Sequence, residues 1–222
     1  MSSRPSFTFD PLFHAGTYYV QEASSMLLEQ ALKQHLDLNA DLRVLDLCAA
    51  PGGKSTHIQS IISPNSLLVS NEVIRSRATV LRDNVLKWGS SNVVVLNNDP
   101  AHFQKLPAFF DAMVVDAPCS GSGLFRRDPD AFNEWSPEQV SFCAQRQKRI
   151  LADVLPALRE NGLLIYSTCS YSLEEDELLL EWLMNEYDLE SLPLQLEENW
   201  QIVEVKSGNA YGYRCWPHLL KR

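Results

Sequence analysis

Leu163–Tyr171 reads Leu-Leu-Ile-Tyr-Ser-Thr-Cys-Ser-Tyr, and this stretch decides the fold. An apolar run with a β-branched and an aromatic residue stops abruptly in small polar residues and one cysteine, Cys169. A buried strand of a parallel sheet has that composition, because both of its faces are covered and no side is left for alternating polar residues. Ligands of open α/β sheets sit at the carboxyl edge, where such a strand delivers its last residues. Phe110–Ala117 repeats the pattern and ends in Asp116-Ala117-Pro118-Cys119-Ser120-Gly121. Two strand ends thus each present a cysteine followed by serine, and one adds a carboxylate. A lone cysteine in such a place reads most simply as a small buried hydrophobe. Two in matching positions point to one shared pocket.

Working outward, the same alternation of strand and helix fills the chain. Residues 5–20, rich in Pro, Phe and Tyr, form an irregular lead-in. Glu22–Leu36 carries Met26, Leu27, Ala31, Leu32 and Leu36 at helical spacing, a stripe suited to core packing. Strands are expected at Arg43–Leu47, Leu67–Ser70, Asn92–Leu96 and Phe110–Val115, with helices at Lys54–Ile62 and Arg75–Trp88. A long polar loop then runs to Trp135. Ser136-Pro137-Glu138-Gln139 starts a helix, with an N-cap serine, proline at the first helical position and glutamine three residues after the cap. Its inward residues include Cys143, which reads as structural, and Pro156 should end or kink it. Ser172-Leu173-Glu174-Glu175 reads as a second capping box, opening a helix to about Tyr187, and Trp200–Val205 as a final strand. The alternation implies a doubly wound, Rossmann-like, mostly parallel α/β sheet in a single domain with a short helical lead-in.

Composition narrows the function classes. Of 222 residues, 45% are hydrophobic, enough to fill a sizeable core. The five cysteines form no Cys-x-x-Cys pair, so neither a disulfide framework nor a metal site is suggested, and a reducing, cytoplasmic setting is expected. No secretory signal or membrane-length apolar run occurs. The net charge of −9 argues against a broad nucleic-acid-binding surface.

Between the first strand and its helix lies Asp46-Leu47-Cys48-Ala49-Ala50-Pro51-Gly52-Gly53-Lys54-Ser55. Glycines there let a ligand approach the backbone, and the helix start offers free N–H groups. Gly53-Lys54-Ser55 mimics the end of a nucleoside-triphosphate loop, with Asp116 as its metal-binding acid, but that motif needs a glycine where Cys48 stands. A dinucleotide loop fails because Gly52 and Gly53 are adjacent. The third ligand, S-adenosylmethionine, fits better. Its ribose diol needs an acid at the end of the next strand. Glu72 lies there at the spacing used for ribose recognition, and Asp99 after the third strand can bond the adenine amino group. Either acid alone would read as a solvated loop residue.

Asp46–Ser55, Asp116–Gly121 and Ser167–Ser170 together resemble the S-adenosylmethionine-dependent RNA cytosine-C5 methyltransferases, most closely the bacterial ribosomal RNA branch. Gly16–Met26, Phe125–Pro129, Trp135–Pro137 and Tyr213–His218 extend the likeness over nearly the whole chain. The resemblance implies a class I methyltransferase fold, with residues 1–40 as lead-in and helix and 41–222 as the catalytic domain. It implies that Cys48, Ala49, Ala50, Pro51, Gly52, Gly53, Lys54, Glu72, Asp99 and Asp116 contact the cofactor. Cys169 matches the family's nucleophile and Cys119 its second cysteine, assigned to product release; Asp116 can also hold the base. Arg126 and Arg127 are candidate RNA phosphate contacts, or simply members of a solvated loop. Two departures stand out. Pro100-Ala101-His102 replaces the family's usual glycine and basic residue, and the chain lacks the family's flanking extensions, as a catalytic domain alone would. The expected partner is RNA, ribosomal RNA first and tRNA as the alternative, and the default state of the protein is a monomer. A silent RNA- or ribosome-binding relative would have no need of both Cys119 and Cys169.

Overall fold

The computed structural model describes residues 6–125, 128 and 130–219. In chain order its elements are α1 (Pro11–His14), α2 (Leu27–His35), β1 (Arg43–Asp46), α3 (Gly53–Ile61), β2 (Leu67–Asn71), α4 (Arg75–Trp88) and β3 (Val93–Leu96). Then come β4 (Phe110–Asp116), α5 (Ala131–Glu134), α6 (Pro137–Val154), β5 (Leu158–Ser167), α7 (Glu177–Glu186), β6 (Val203–Ser207) and β7 (Ala210–Arg214). The order within the five-stranded sheet is β3-β2-β1-β4-β5. Pairings of β1 with β2, β1 with β4 and β2 with β3 are all parallel. This is the Rossmann-like architecture expected from the strand–helix alternation. No helix among the described residues is long and apolar enough to cross a membrane.

The chain divides into two compact units. The first comprises Met1–Asp99, Ala108–Val114 and Leu158–Leu164. Within it Asp46, Ser70, Val95 and Val114 stand in one row across four strands, so the strand ends are level. Strand order reverses at β1, and ligands of such sheets bind outside the carboxyl ends at that reversal. Val44, Leu45, Leu68, Phe110, Ala112, Met113 and Val114 are buried, as strands covered on both faces must be. Val94, on the edge strand β3, is 44% exposed. Helix α4 has its expected bounds because Gly89 adopts a left-handed φ of +83° and its N–H bonds the Val85 carbonyl. Helix α2 departs from expectation. A 3-10 turn, Ser24–Met26, precedes it, and Leu28 and Leu32 fill the core while Met26 is exposed. Strand β5 begins at Leu158, ahead of the apolar run at 163, because Arg159–Asn161 are exposed and carry no apolar signal.

The second unit comprises Pro100–Pro107, Val115–Ala157 and Ile165–Arg222. Ser136 caps α6 as expected, its Oγ accepting the Gln139 N–H at 3.2 Å. Val140, Cys143, Ile150, Leu151 and Val154 form its buried face, and the helix stops before Pro156, which sits in a 3-10 turn. Two expectations are corrected. Ser172 caps nothing with its side chain; a 3-10 turn, Leu173–Glu175, intervenes and α7 starts at Glu177. The final strand is a separate antiparallel hairpin, β6 with β7, turning through Gly208 at φ +57°. Gly-Asn at 208–209 is the signal for that turn. Strand β7 was hidden because its last residue, Arg214, is a buried charge held by Glu177 and Asp176.

Candidate active site

The glycine turn of the first unit is built by side chains that bond its backbone. Gly52 has φ +112°, a conformation closed to other residues without strain, and a side chain there would press on Leu81. A Cβ on Gly53 would lie 2.9 Å from Gln21 Oε1 and 3.0 Å from Tyr19, so a larger residue would push the Gln21 amide and the Tyr19 ring aside. Gln21 Nε2 donates to the Gly53 carbonyl at 2.8 Å, Arg77 Nη2 to Ala50 at 2.9 Å and Asn84 Nδ2 to Pro51 at 2.8 Å. The lead-in and α4 therefore fix the turn from two sides. Ser55 is buried and gives its hydroxyl to Asp46 at 2.7 Å. A nucleoside-triphosphate loop needs that hydroxyl on a metal ion, so the likeness to such a loop ends here.

The acids expected at the next strand ends stand at the same carboxyl edge. Asn71, 1% exposed, donates to the carbonyls of Leu47 (3.2 Å) and Asn98 (3.0 Å) and accepts from Asn98 N–H (2.9 Å). One amide thus ties the ends of β1, β2 and β3 together. Asn97 Nδ2 adds a bond to the Glu72 carbonyl at 2.6 Å, which brings the Asn97–Asp99 loop beside Glu72. Glu72 is 2% exposed. Its Oε1 accepts the Ile74 N–H at 3.0 Å, and its Oε2 lies 3.3 Å from Arg77 Nη1. Oε2 accepts no hydrogen bond from the described residues. A buried carboxylate oxygen without a donor is costly unless a ligand supplies one, and a ribose hydroxyl does so. The residues therefore fit an adenosine cofactor.

Asp116 and the two cysteines belong to the second unit. Ser167 Oγ donates to Asp116 Oδ1 at 2.7 Å, and Ala117 N–H to the Ser167 carbonyl at 2.9 Å, which clamps the ends of β4 and β5. Cys119 Sγ lies 3.0 Å from Cys169 Sγ, in contact but well beyond the about 2.05 Å of a disulfide. The hydrogen bond from Cys119 holds the exposed Cys169 below the usual thiol range, against opposing burial and the Asp116 charge. The same bond, with burial, pushes the Cys119 thiol far up. The pair is thus unequal: the contact favours ionisation of Cys169 over Cys119, and the thiolate is the reactive form of a cysteine.

The structure brings Cys119, Cys169 and Asp116 together, and separately groups the Cys48–Lys54 turn with Glu72 and Asp99. Arg126 and Arg127 lie outside the described residues. Cys143 is fully buried and His57 bonds Glu29 at 2.7 Å, as befits structural residues. The sequence reading missed Asn71, Gln147 and Glu175. Asn71 had a signal, a polar residue ending an apolar strand. Glu175 was masked by its fit to a capping box.

Residues 33–221 match the family described as 16S rRNA methyltransferase RsmB/F. Ribosomal RNA small subunit methyltransferase F of Escherichia coli K12 is 43% identical over 183 residues, 81% of this chain and 38% of that protein. The chain thus spans well under half the length of the curated relatives it matches. Among solved structures, a methyltransferase homologue from Pyrococcus horikoshii superposes with a TM-score of 0.72 and 32% identity, over 87% of this chain and 60% of that one. NSun6 from the same organism, solved with SFG, an S-adenosylmethionine analogue, gives 0.74 and 27% over 82% and 46%. With the family match covering most of its length, the chain belongs to the 16S rRNA methyltransferase RsmB/F family.

Proposed function

We propose that this chain is the catalytic part of an S-adenosylmethionine-dependent enzyme that methylates C5 of a cytosine in small-subunit ribosomal RNA. The observation that carries the reading is the Cys119–Cys169 contact at 3.0 Å, which lowers the Cys169 pKa and raises that of Cys119. Cytosine C5 is a poor nucleophile. Addition of the Cys169 thiolate to C6 forms an S–C6 bond, moves the C5–C6 π pair toward C4 and the C4–N3 π pair onto N3, which takes a proton from solvent, leaving an enamine nucleophilic at C5. Asp116 is the group to hold N3 and the exocyclic amine as that proton arrives. When bound, S-adenosylmethionine supplies the electrophilic methyl; the Cys48–Lys54 turn, Glu72 and Asp99 would hold it.

Release follows from the same sulfur pair. Once Cys169 is bonded to carbon it no longer accepts a hydrogen bond as a thiolate. The largest cause of the raised Cys119 pKa is thereby removed. Cys119 can then ionise and take the C5 proton; the C–H pair restores the C5–C6 bond, the C6–S pair returns to Cys169, and N3 gives its added proton back to solvent. The target base must leave its stack to reach the thiolate. The test is transfer of labelled methyl from S-adenosylmethionine to small-subunit ribosomal RNA, with bisulfite sequencing to place it. Cys169→Ala should abolish transfer and keep cofactor binding; retained turnover refutes the assignment.

A further inference from the structure

Glu175 is fully buried, yet it lies six residues beyond Cys169 and touches neither sulfur by hydrogen bond. Its Oε1 accepts the Ser120 N–H at 2.9 Å and Gln147 Nε2 at 3.0 Å. Its Oε2 accepts the hydroxyls of Ser120 at 2.5 Å and Ser170 at 2.6 Å. Ser120 follows Cys119 in the chain, and Ser170 follows Cys169. One carboxylate therefore grips the residue after each cysteine.

The surrounding bonds keep that grip in place. Gln147, on α6, gives its other amide hydrogen to the Pro118 carbonyl at 3.0 Å and so holds the residue before Cys119. Tyr166 donates its hydroxyl to the Glu175 carbonyl at 2.8 Å, which fixes the backbone that carries the clamp. A buried carboxylate gains little net stability over an apolar group of similar volume, even when four donors satisfy it. Its value at this position lies in what it holds.

We propose that Glu175 is a positioning residue that sets the distance between Cys119 and Cys169. This rests on the reading of Cys169 as the attacking sulfur, but its test does not need RNA or cofactor. Without the clamp, the 119 and 169 loops separate and the sulfur–sulfur hydrogen bond that lowers the Cys169 pKa is lost. The sign of the effect separates this role from a purely electrostatic one. The Glu175 charge by itself raises the Cys169 pKa, so removing only that charge would lower it. Loss of the clamp removes the larger, opposite influence of Cys119 and raises it.

The experiment is alkylation of Cys169 by iodoacetamide across pH, read by peptide mass spectrometry, in wild type and Glu175→Gln. The expected result is a midpoint moved to higher pH, with S-adenosylmethionine affinity unchanged and methyl transfer slowed about 100-fold by sulfur misplacement. A midpoint that stays in place or moves to lower pH in folded Glu175→Gln overturns the proposal. If Glu175→Gln does not fold, the double variant Ser120→Ala/Ser170→Ala removes two of the four donors. The same upward movement supports the clamp and an unmoved midpoint overturns it. Should Cys169→Ala still methylate RNA, the catalytic reading fails while the alkylation result on Glu175 still stands by itself.

Discussion

Replacing Gly123 with alanine puts a methyl group where there is no room for one. The new Cβ would lie 2.3 Å from the Cys169 carbonyl oxygen and 3.2 Å from its carbonyl carbon. Ordinary contact begins at 3.4 Å, so 3.4 Å less 2.3 Å leaves about 1.1 Å by which the two backbones must separate. The obstacle is backbone, which cannot rotate aside. The Gly123 N–H also donates to that carbonyl at 2.6 Å, and the bond is stretched or lost. Overpacking of this size costs about 1–3 kcal/mol of stability. The effect on rate is larger, since a displacement of about 1 Å at a reacting group costs on the order of 100-fold. Labelled-methyl transfer under single-turnover conditions, beside a thermal melt and a cofactor titration, separates the two effects. The expected variant is folded, binds S-adenosylmethionine normally and is about 100-fold slower. A folded Gly123→Ala protein that turns over at the wild-type rate would show that Cys169 does not need its backbone position, and the site geometry would lose its mechanistic meaning.

Cys119→Ala should accumulate an RNA adduct that survives denaturing electrophoresis, because attack by Cys169 proceeds while release stalls; a lane without the slow band counts against the assignment. Glu72→Gln should weaken S-adenosylmethionine about 10- to 100-fold by calorimetry, the range for losing a hydrogen bond to a buried charge. Equal affinity would exclude the ribose role. Asp176 is pushed up to about 6 by burial, which outweighs the opposing Thr168 hydrogen bond and Arg214 charge. Its folded value lies above its ordinary 3.8, so it adds stability below that value which is lost as pH rises through about 6. Asp176→Asn cannot titrate. The wild-type stability should therefore fall relative to the variant by on the order of 2–3 kcal/mol between pH 4 and 7. Parallel denaturant curves across that window would refute the assignment.

The sequence by itself determined the alternation of strand and helix, and with it the sheet. Burial on both faces demands long apolar runs, so β1, β2 and β4 announced themselves, and Gly89 and Ser136 marked helix ends by local backbone chemistry. The polar residues proposed for the site stood out at strand ends for the same reason, since a polar group directly after an apolar run has few structural uses. Strand β7 and the start of β5 were not legible, because their exposed or charge-bearing residues carry no pattern of period two. What only the tertiary structure decided is that the two sulfurs meet. Cys119 and Cys169 stand 50 residues apart in the chain and 3.0 Å apart in space. Their ionisation depends on that distance, and the distance depends on a carboxylate, Glu175, whose local sequence suggested a helix cap. A long-range contact of this kind arises from the packing of distant segments and leaves no periodic trace in any one of them.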